Sequence, residues 1–396
     1  MRVAFGIMGG DFWTGGVNYL ENLLSAIAER PSLGIDPVLM VGTDADPRRI
    51  ERLAGYLSSP PVVSAAWDRG RWTRLVRSIS AYTLQRDIPV ERSLLRERID
   101  VVFQHGAWLG AAFRIPTLAW VADLQHRRHP EMFSFPDRVR RDAGYAALSR
   151  CASRIMVSSE DAKRDCEHFF PSSKGRVDAV PFAVRHWIGA DDALLSEVRD
   201  SHSLPDRFIF FPNQLWLHKN HLGVLLALKR LEDRGGMVDV VACGNPRDYR
   251  HPRHPETVIR TIGELGLADR FRFLGLIPGH HILPLMRLSC AVLNPSFHEG
   301  WSTTVEEAKA IGVPLLLSDI PIHREQTEGL RARFFDPADV ESIADVLCSA
   351  MLELPPGPRR DAESQAAIMN QARRDRFARA FADSAVHAAG NGGPCQ

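Results

Sequence analysis

Two glutamates carry the densest chemistry in the chain. Glu299 and Glu307 lie in the run Asn294-Pro295-Ser296-Phe297-His298-Glu299-Gly300-Trp301-Ser302-Thr303-Thr304-Val305-Glu306-Glu307. The run leaves an apolar strand, passes a glycine turn and opens a helix that Gly312 closes, so both carboxylates stand near the carboxyl edge of a sheet. A carboxylate placed there accepts two hydrogen bonds from vicinal hydroxyls, such as a ribose or a sugar offers. Glu307 has a second explanation, because Thr304-x-x-Glu307 spells a capping box that needs no ligand. Glu299 has no such alternative. Lys219 follows another apolar strand in Pro212-Asn213-Gln214-Leu215-Trp216-Leu217-His218-Lys219-Asn220-His221, ahead of a helix whose apolar positions begin at Leu222. Its ammonium can neutralise a diphosphate, although a solvated loop lysine is the more common case. Near the start, Gly15-Gly16 ends the loop Gly9–Val17, where glycines at a helix start let N–H groups approach a phosphate. A plain turn explains that loop equally well, and it lacks the G-x-G-x-x-G spelling of a dinucleotide oxidoreductase.

The elements that must position these groups alternate between strand and helix, the signature of parallel α/β sheets. One series of expected strands is Arg2–Ile7, Pro37–Val41, Asp100–Phe103, Thr117–Val121, Arg154–Val157 and Val177–Val180. A second series is Phe208–Phe211, Val238–Ala242, Phe271–Leu274, Ala291–Asn294, Val313–Leu317 and Arg333–Phe335. Val17, Leu20, Leu23, Leu24 and Ile27 recur at three and four residues, which is one face of a helix between the first two strands. The expected division is an N-terminal domain over 1–188, a linker over 189–206 marked by Gly189, Asp191-Asp192 and Pro205, and a C-terminal domain over 207–372. A helix over about 373–388, with Phe377, Ala380, Phe381 and Ser384 on one face, is expected to pack back on the first domain, and 389–396 to be a disordered tail.

Composition narrows the field. The 396 residues are too many for one small binding module, and 45% hydrophobic with 24% charged residues suits buried cores. Lys+Arg 49 against Asp+Glu 48 argues against a surface tuned to nucleic acid. Cys151, Cys166, Cys243, Cys290, Cys348 and Cys395 form no C-x-x-C pair, so neither a zinc site nor a disulfide framework is expected. No signal peptide and no spanning stretch of roughly 18 apolar residues is read, and the expectation is a cytoplasmic protein.

Taken together, Glu299-x7-Glu307 within His298-Glu299-Gly300-Trp301, the Lys219-Asn220 pair and Gly15-Gly16 resemble the retaining nucleotide-sugar glycosyltransferases of the GT-B fold, glycosyltransferase family four. Asn213-Gln214-Leu215-Trp216 with His218-Lys219-Asn220-His221, joined to Asp123-Leu124-Gln125-His126 and Pro130-Glu131, is similar to a bacterial branch of that family. The resemblance covers nearly the whole chain and implies two Rossmann-like α/β domains facing across a cleft. It implies that Glu307 binds the ribose hydroxyls, Lys219 the diphosphate and Glu299 the transferred sugar. Asn213, Gln214, Gly15, Gly16 and the backbone of Gly300, Trp301, Ser302, Thr303 and Thr304 would line the donor, with Ile277 flanking the base. It further implies sugar transfer with retention of configuration onto a saccharide or glycolipid acceptor, in making bacterial surface polysaccharide, lipopolysaccharide or glycoconjugate. No cofactor or metal is expected, because Lys219, backbone amides and helix N-termini can stabilise the leaving diphosphate. The chain departs from the family pattern at Gln214, where many members have Arg, and at Ser302-Thr303-Thr304, which replaces Gly-Leu-Pro. It departs again at Ala122-Asp123, which replaces His-Asp and leaves Asp123 and His126 as catalytic substitutes. A structural role is the competing explanation for His126, and His105 is a comparable candidate at another strand end. A catalytically silent GT-B binding protein, or a nucleotide-sugar epimerase or hydrolase, is the alternative function.

Arg69, Arg71, Arg74 and Arg77 are interleaved with Trp72, Leu75, Val76 and Ile79. Such a stretch can rest on the anionic inner face of a cell membrane, or it can be an ordinary solvated helix face.

Overall fold

The computed structural model describes residues 1–8, 14–106, 108–185 and 192–390. The chain divides into two compact units, one made of Met1–Pro130, Phe135–Arg185 and the chain from Ala372 onward. The other holds Glu131–Ser134 and the chain between Arg185 and Ala372.

The first unit is built on seven strands, β1 (Arg2–Gly6), β2 (Asp36–Val41), β3 (Val62–Val63), β4 (Val101–His105), β5 (Thr117–Trp120), β6 (Arg154–Val157) and β7 (Val177–Ala179). They pair in parallel in the order β3-β2-β1-β4-β5-β6-β7. The short edge strand β3 has no counterpart in the sequence reading. Two residues after Pro60-Pro61 leave no alternation to detect, and only the pairing with β2, Met40↔Val62 and Val41↔Val63, defines it. The helix Thr14–Ala28 buries Val17, Leu20, Leu23, Leu24 and Ile27, the face that the periodicity picks out.

The second unit has six strands, β8 (Ile209–Phe211), β9 (Val240–Ala242), β10 (Phe271–Phe273), β11 (Ala291–Asn294), β12 (Leu315–Ser318) and β13 (Ala332–Phe335). Their order is β10-β9-β8-β11-β12-β13, again with every pair parallel. Each sheet therefore reverses its winding direction once, at β1/β4 and at β8/β11. Crossover helices of a parallel sheet lie on opposite faces either side of such a reversal, so the two loops leaving it part and open a crevice at the carboxyl edge.

Two expectations change. Much of the proposed linker is the helix Asp192–Ser201, whose Leu195 and Val198 are buried with Leu204 in the core of the second unit. The Asp pair and Pro205 that suggested a linker bracket a helix: an acid in its first turn suits the dipole, and proline follows its end. The C-terminal helix runs Arg360–Gly390, well upstream of 373 and through Ala389 and Gly390. Its first turns belong to the second unit, where Glu363 accepts from Arg287 Nε at 2.6 Å. Its later turns belong to the first, with Phe381 5.7 Å from the Phe5 ring and Arg374 bonded to Ser25 and Glu29. The remainder of the expected tail, 391–396, lies outside the described residues.

Leu195→Ala should cost about 2–5 kcal/mol of stability, because it removes a side chain from a packed core. Glu197→Ala, on the exposed side of the same helix, should stay within about 0.5 kcal/mol. Urea unfolding followed by circular dichroism compares the two, and equal effects would return this segment to linker status.

Candidate active site

The winding reversal of the second sheet lies between β8 and β11, and the residues with the most chemistry leave those two strands. Beyond β8, a single tight turn over Leu217–Lys219 ends at Asn220, which holds a left-handed backbone with φ +56. Asparagine tolerates that conformation, and its side chain fixes the turn by donating from Nδ2 to the Pro337 carbonyl at 2.8 Å. Gly223 must be glycine, since a Cβ there would sit 2.5 Å from Asn220 Oδ1. Beyond β11, the Phe297 N–H donates to the His218 carbonyl at 2.9 Å. That bond ties the two loops together one residue from Lys219 and two from Glu299.

Their side chains meet. Lys219 Nζ donates to Glu299 Oε1 at 2.5 Å, with only 14% and 10% of the two side chains exposed. Burial pushes the Glu299 carboxyl upward, but the Lys219 charge and hydrogen bond lead the effects that outweigh it and hold it below the usual range. Glu299 is therefore an anion matched to a cation. Beneath the pair, His323 is wholly buried, and its Nδ1 lies 2.9 Å from the Ser318 carbonyl and 3.0 Å from its hydroxyl. A carbonyl only accepts, so Nδ1 carries the hydrogen. Burial pulls the ring's pKa down to about 4, with Lys219 adding to the effect, so the ring is neutral and its buried Nε2 is a bare acceptor with no hydrogen-bond partner. His323 was absent from the sequence reading, and the strand end Ser318-Asp319-Ile320-Pro321 just before it is the signal that could have found it.

The helix Thr303–Ala310 opens directly beyond Glu299. Its cap is Ser302, whose hydroxyl accepts from the Val305 N–H. The capping box read as Thr304-x-x-Glu307 is therefore not formed, and Glu307, two residues past the acceptor position of a box, is released from that duty. Burial alone pushes its carboxyl up to about 7. Burial, with the Glu307 charge adding to it, drives the Cys243 thiol beyond β9 up to about 12. Thr303 and Thr304 present first-turn N–H groups, which no carbonyl of their own helix can accept. Thr304 Oγ1 also reaches the Pro212 carbonyl at 3.5 Å.

A buried polar network holds this loop. Asn294 Nδ2 donates to Ser302 Oγ at 2.7 Å, while Asn294 Oδ1 accepts from Ser296 at 2.7 Å and from Asn213 at 3.4 Å. The Gln326 side chain clasps Ser302 through both main-chain groups, at 3.2 and 2.8 Å. Gln326 also donates to Glu306 at 2.9 Å, and Lys309 reaches Glu306 and the Gln326 carbonyl, each at 2.6 Å. Trp301 lies above, its ring centroid 5.8 Å from Lys309 Nζ. The neighbouring strand-end loops converge on the same edge. A Cβ on Gly244, with φ +156, would meet the Asn213 carbonyl at 2.5 Å and Gln214 Cα at 2.8 Å. The Gly244 N–H donates to Gly275 at 2.9 Å, bringing in the segment of Ile277. Asn213, Gln214, Lys219, Ile277, Glu299 to Thr304 and Glu307 thus share the carboxyl edge of one sheet.

The remaining candidates belong to the other unit. Asp123 follows β5 and its Oδ1 accepts from the Gln125 N–H at 3.1 Å. His126 has no exposed side-chain surface and pairs through Nε2 with Asp142 Oδ1 at 2.9 Å. Burial lowers its pKa more than Asp142 raises it. His105, at the end of β4, is likewise neutral, pulled down to about 4 by burial. Gly15 and Gly16 sit in the first turn of the helix Thr14–Ala28 instead of in a loop, and the loop residues 9–13 lie outside the described ones. Among the described residues, no three His, Cys, Asp or Glu side chains gather to hold a metal.

Comparison with known proteins agrees with this geometry. Residues 197–374 match the family described as Glycosyl transferases group 1. A D-inositol 3-phosphate glycosyltransferase of Nocardia farcinica is 25% identical over 213 residues, which is 52% of this chain and 47% of that protein. The serotype-specific mannosyltransferase WbdA of Escherichia coli is 25% identical over 51% of this chain and 25% of its own length. The chain thus spans about half the length, or less, of these two curated relatives. Among solved structures, Anabaena Alr3699/HepE in complex with UDP-glucose superposes with a TM-score of 0.66 at 16% identity over 98% of both chains. A Rickettsia africae glycosyltransferase superposes with a TM-score of 0.63 at 14% identity, over 95% of this chain and 92% of that one. Two parallel sheets of the same winding and the superposed structures identify a chain of GT-B fold whose residues 197–374 match the family of group 1 glycosyl transferases.

Proposed function

We propose that this chain is a retaining glycosyltransferase, moving a sugar from a nucleotide-diphosphate sugar to a saccharide or lipid-linked acceptor in bacterial surface polysaccharide or glycoconjugate synthesis. The observation that carries the reading is the enclosed Lys219–Glu299 pair at the winding reversal, with Glu307 on the helix that follows. In transfer, the bond from the anomeric carbon to the diphosphate breaks and its electron pair stays on the phosphate oxygen. The acceptor oxygen bonds to the same face of that carbon as its proton passes to the departing phosphate oxygen. Lys219 and the first-turn amides of Thr303 and Thr304 meet the charge that grows on the diphosphate. Glu299 accepts from the sugar hydroxyls, and Glu307 from the ribose. HepE, whose structure holds UDP-glucose, and the glycosyltransferases named above support a nucleotide-sugar donor. Because the counter-charge comes from Lys219 and backbone dipoles, EDTA should leave the transfer rate unchanged.

A double-mutant cycle separates chemistry from structure. Lys219→Met alone strands a buried carboxylate and should cost about 3–5 kcal/mol of stability. It should also lower kcat/KM by about 10²–10³, as expected for the loss of one charge-stabilising donor. The double variant Lys219→Met/Glu299→Gln should regain much of the stability and none of the transfer. Recovery of both would make the pair purely structural. Donor consumption without acceptor would point to a hydrolase or epimerase, and failure of every nucleotide sugar to shift thermal unfolding to a silent binding protein.

Glu307 sets a pH dependence. Its carboxyl ionises near 7 in the free protein, and hydroxyl donors bind the ionised form, so donor affinity should rise with pH and level off above 7. Below 7 the slope approaches about tenfold per unit. A nucleotide-diphosphate sugar has no ionisation in that range, so the slope reports the protein. Calorimetric titration of donor across pH should show this limb in the native chain and lose it in Glu307→Gln.

A further inference from the structure

The helix Arg71–Thr83 of the first unit turns its apolar side outward. The residues it buries are Ser80 and Ala81, while Arg77 pairs with buried Asp87 at 2.7 Å. Trp72, Leu75, Val76, Ile79 and Tyr82, three or four apart along the opposite side, are 79%, 48%, 53%, 53% and 69% exposed, and Leu84 just past the end is 56% exposed. A helix on a globular surface ordinarily does the reverse, and a contiguous apolar stripe of this kind marks a surface that meets something.

Charge says what it meets. Arg69, Arg71, Arg74, Arg77 and Arg86 fall within the stretch 69–86, which contains no acidic residue in a chain whose net charge is +1. Arg71 and Arg74 have no ion-pair partner among the described residues. An apolar stripe carrying one Trp and one Tyr and flanked by unpaired arginines is complementary to a bilayer whose surface is anionic and whose interior is apolar. A protein partner with an apolar groove would match the stripe but would not call for a one-signed flank. The same helix borders a cleft of about 540 Å³ confined to the first unit, lined by Arg49, Arg69, Arg74, Arg77, Gln104 and His105 at the carboxyl edge of the first sheet.

We propose that the helix Arg71–Thr83 seats this chain on an anionic lipid bilayer, with Trp72, Leu75, Val76 and Ile79 at the headgroup boundary and Arg71 and Arg74 against the lipid phosphates. Arg74 and Arg77 of this helix line the cleft, so seating the helix sets the cleft beside the bilayer. The inference rests on the transferase reading only in that a lipid-linked acceptor would reach the cleft there.

The experiment is flotation of the full chain with phosphatidylcholine vesicles, with and without phosphatidylglycerol, at low and high salt. The chain should float with the anionic vesicles at low salt and progressively less as salt screens the arginines. Trp72→Ser/Ile79→Ser and Arg71→Glu should each weaken binding by roughly tenfold. Thermal unfolding of these variants should be unchanged, since the altered side chains are exposed. No flotation with anionic vesicles, or flotation indifferent to these substitutions, overturns the proposal. So does a dimer in size-exclusion chromatography that Trp72→Ser/Ile79→Ser dissociates, because the stripe would then cover a second copy. Nucleotide-sugar binding, read as a thermal shift on the same samples, is independent of lipid. Its failure would remove the transferase reading and leave the vesicle result standing.

Discussion

Lys309 and Glu306 carry opposite charges with 4% and 0% of their side chains exposed, and the candidate site depends on keeping them satisfied. An ammonium and a carboxylate so enclosed each lose several kcal/mol of hydration, and the attraction between them repays that only with further hydrogen bonds. Gln326 supplies those bonds, through its side-chain amide to Glu306 and its carbonyl to Lys309. The same side chain clasps both main-chain groups of Ser302. A shift of the loop beyond β11 would therefore unbalance a buried charge pair. Such a network contributes little net stability and much geometric definition, which a loop bearing a binding carboxylate requires.

On that platform Lys219 and Glu299 neutralise each other. A phosphate approaching Lys219 competes with Glu299 for its charge, and a hydroxyl group approaching Glu299 competes with Lys219. A ligand that brings an anion and vicinal hydroxyls together replaces both partners at once, whereas phosphate alone leaves an enclosed carboxylate unmatched. His323, neutral with an unprotonated Nε2 beneath the pair, adds no competing charge.

The first unit shows the opposite use of the same materials. Its cores are ordinary, with Val3, Ala4 and Phe5 of β1 wholly buried. Along Arg71–Thr83, however, apolar groups face water and an arginine faces a buried acid. Hydrophobic periodicity identifies such a helix but not which way it turns, since an outward and an inward stripe share one spacing.

All the longer strands of both sheets were legible in the sequence, because a strand buried on both faces between helices must be an unbroken apolar run. Glu299 and Lys219 were legible as candidates because parallel strands send every carboxyl end to one edge. The edge strand β3 and the helix Asp192–Ser201 were not, since two residues show no period and a polar start with a following proline fits a helix as well as a linker. The sequence by itself determined the alternation, the parallel α/β class and the residues available at the carboxyl edge, all of which follow from local spacing. Only the tertiary structure decided that Lys219 finds Glu299, that Ser302 takes the cap and releases Glu307, that His126 is enclosed against Asp142, and that His323 lies beneath the site. Each of those outcomes joins residues separated along the chain or competing for one hydrogen bond, and burial in a shared low-dielectric space settles them.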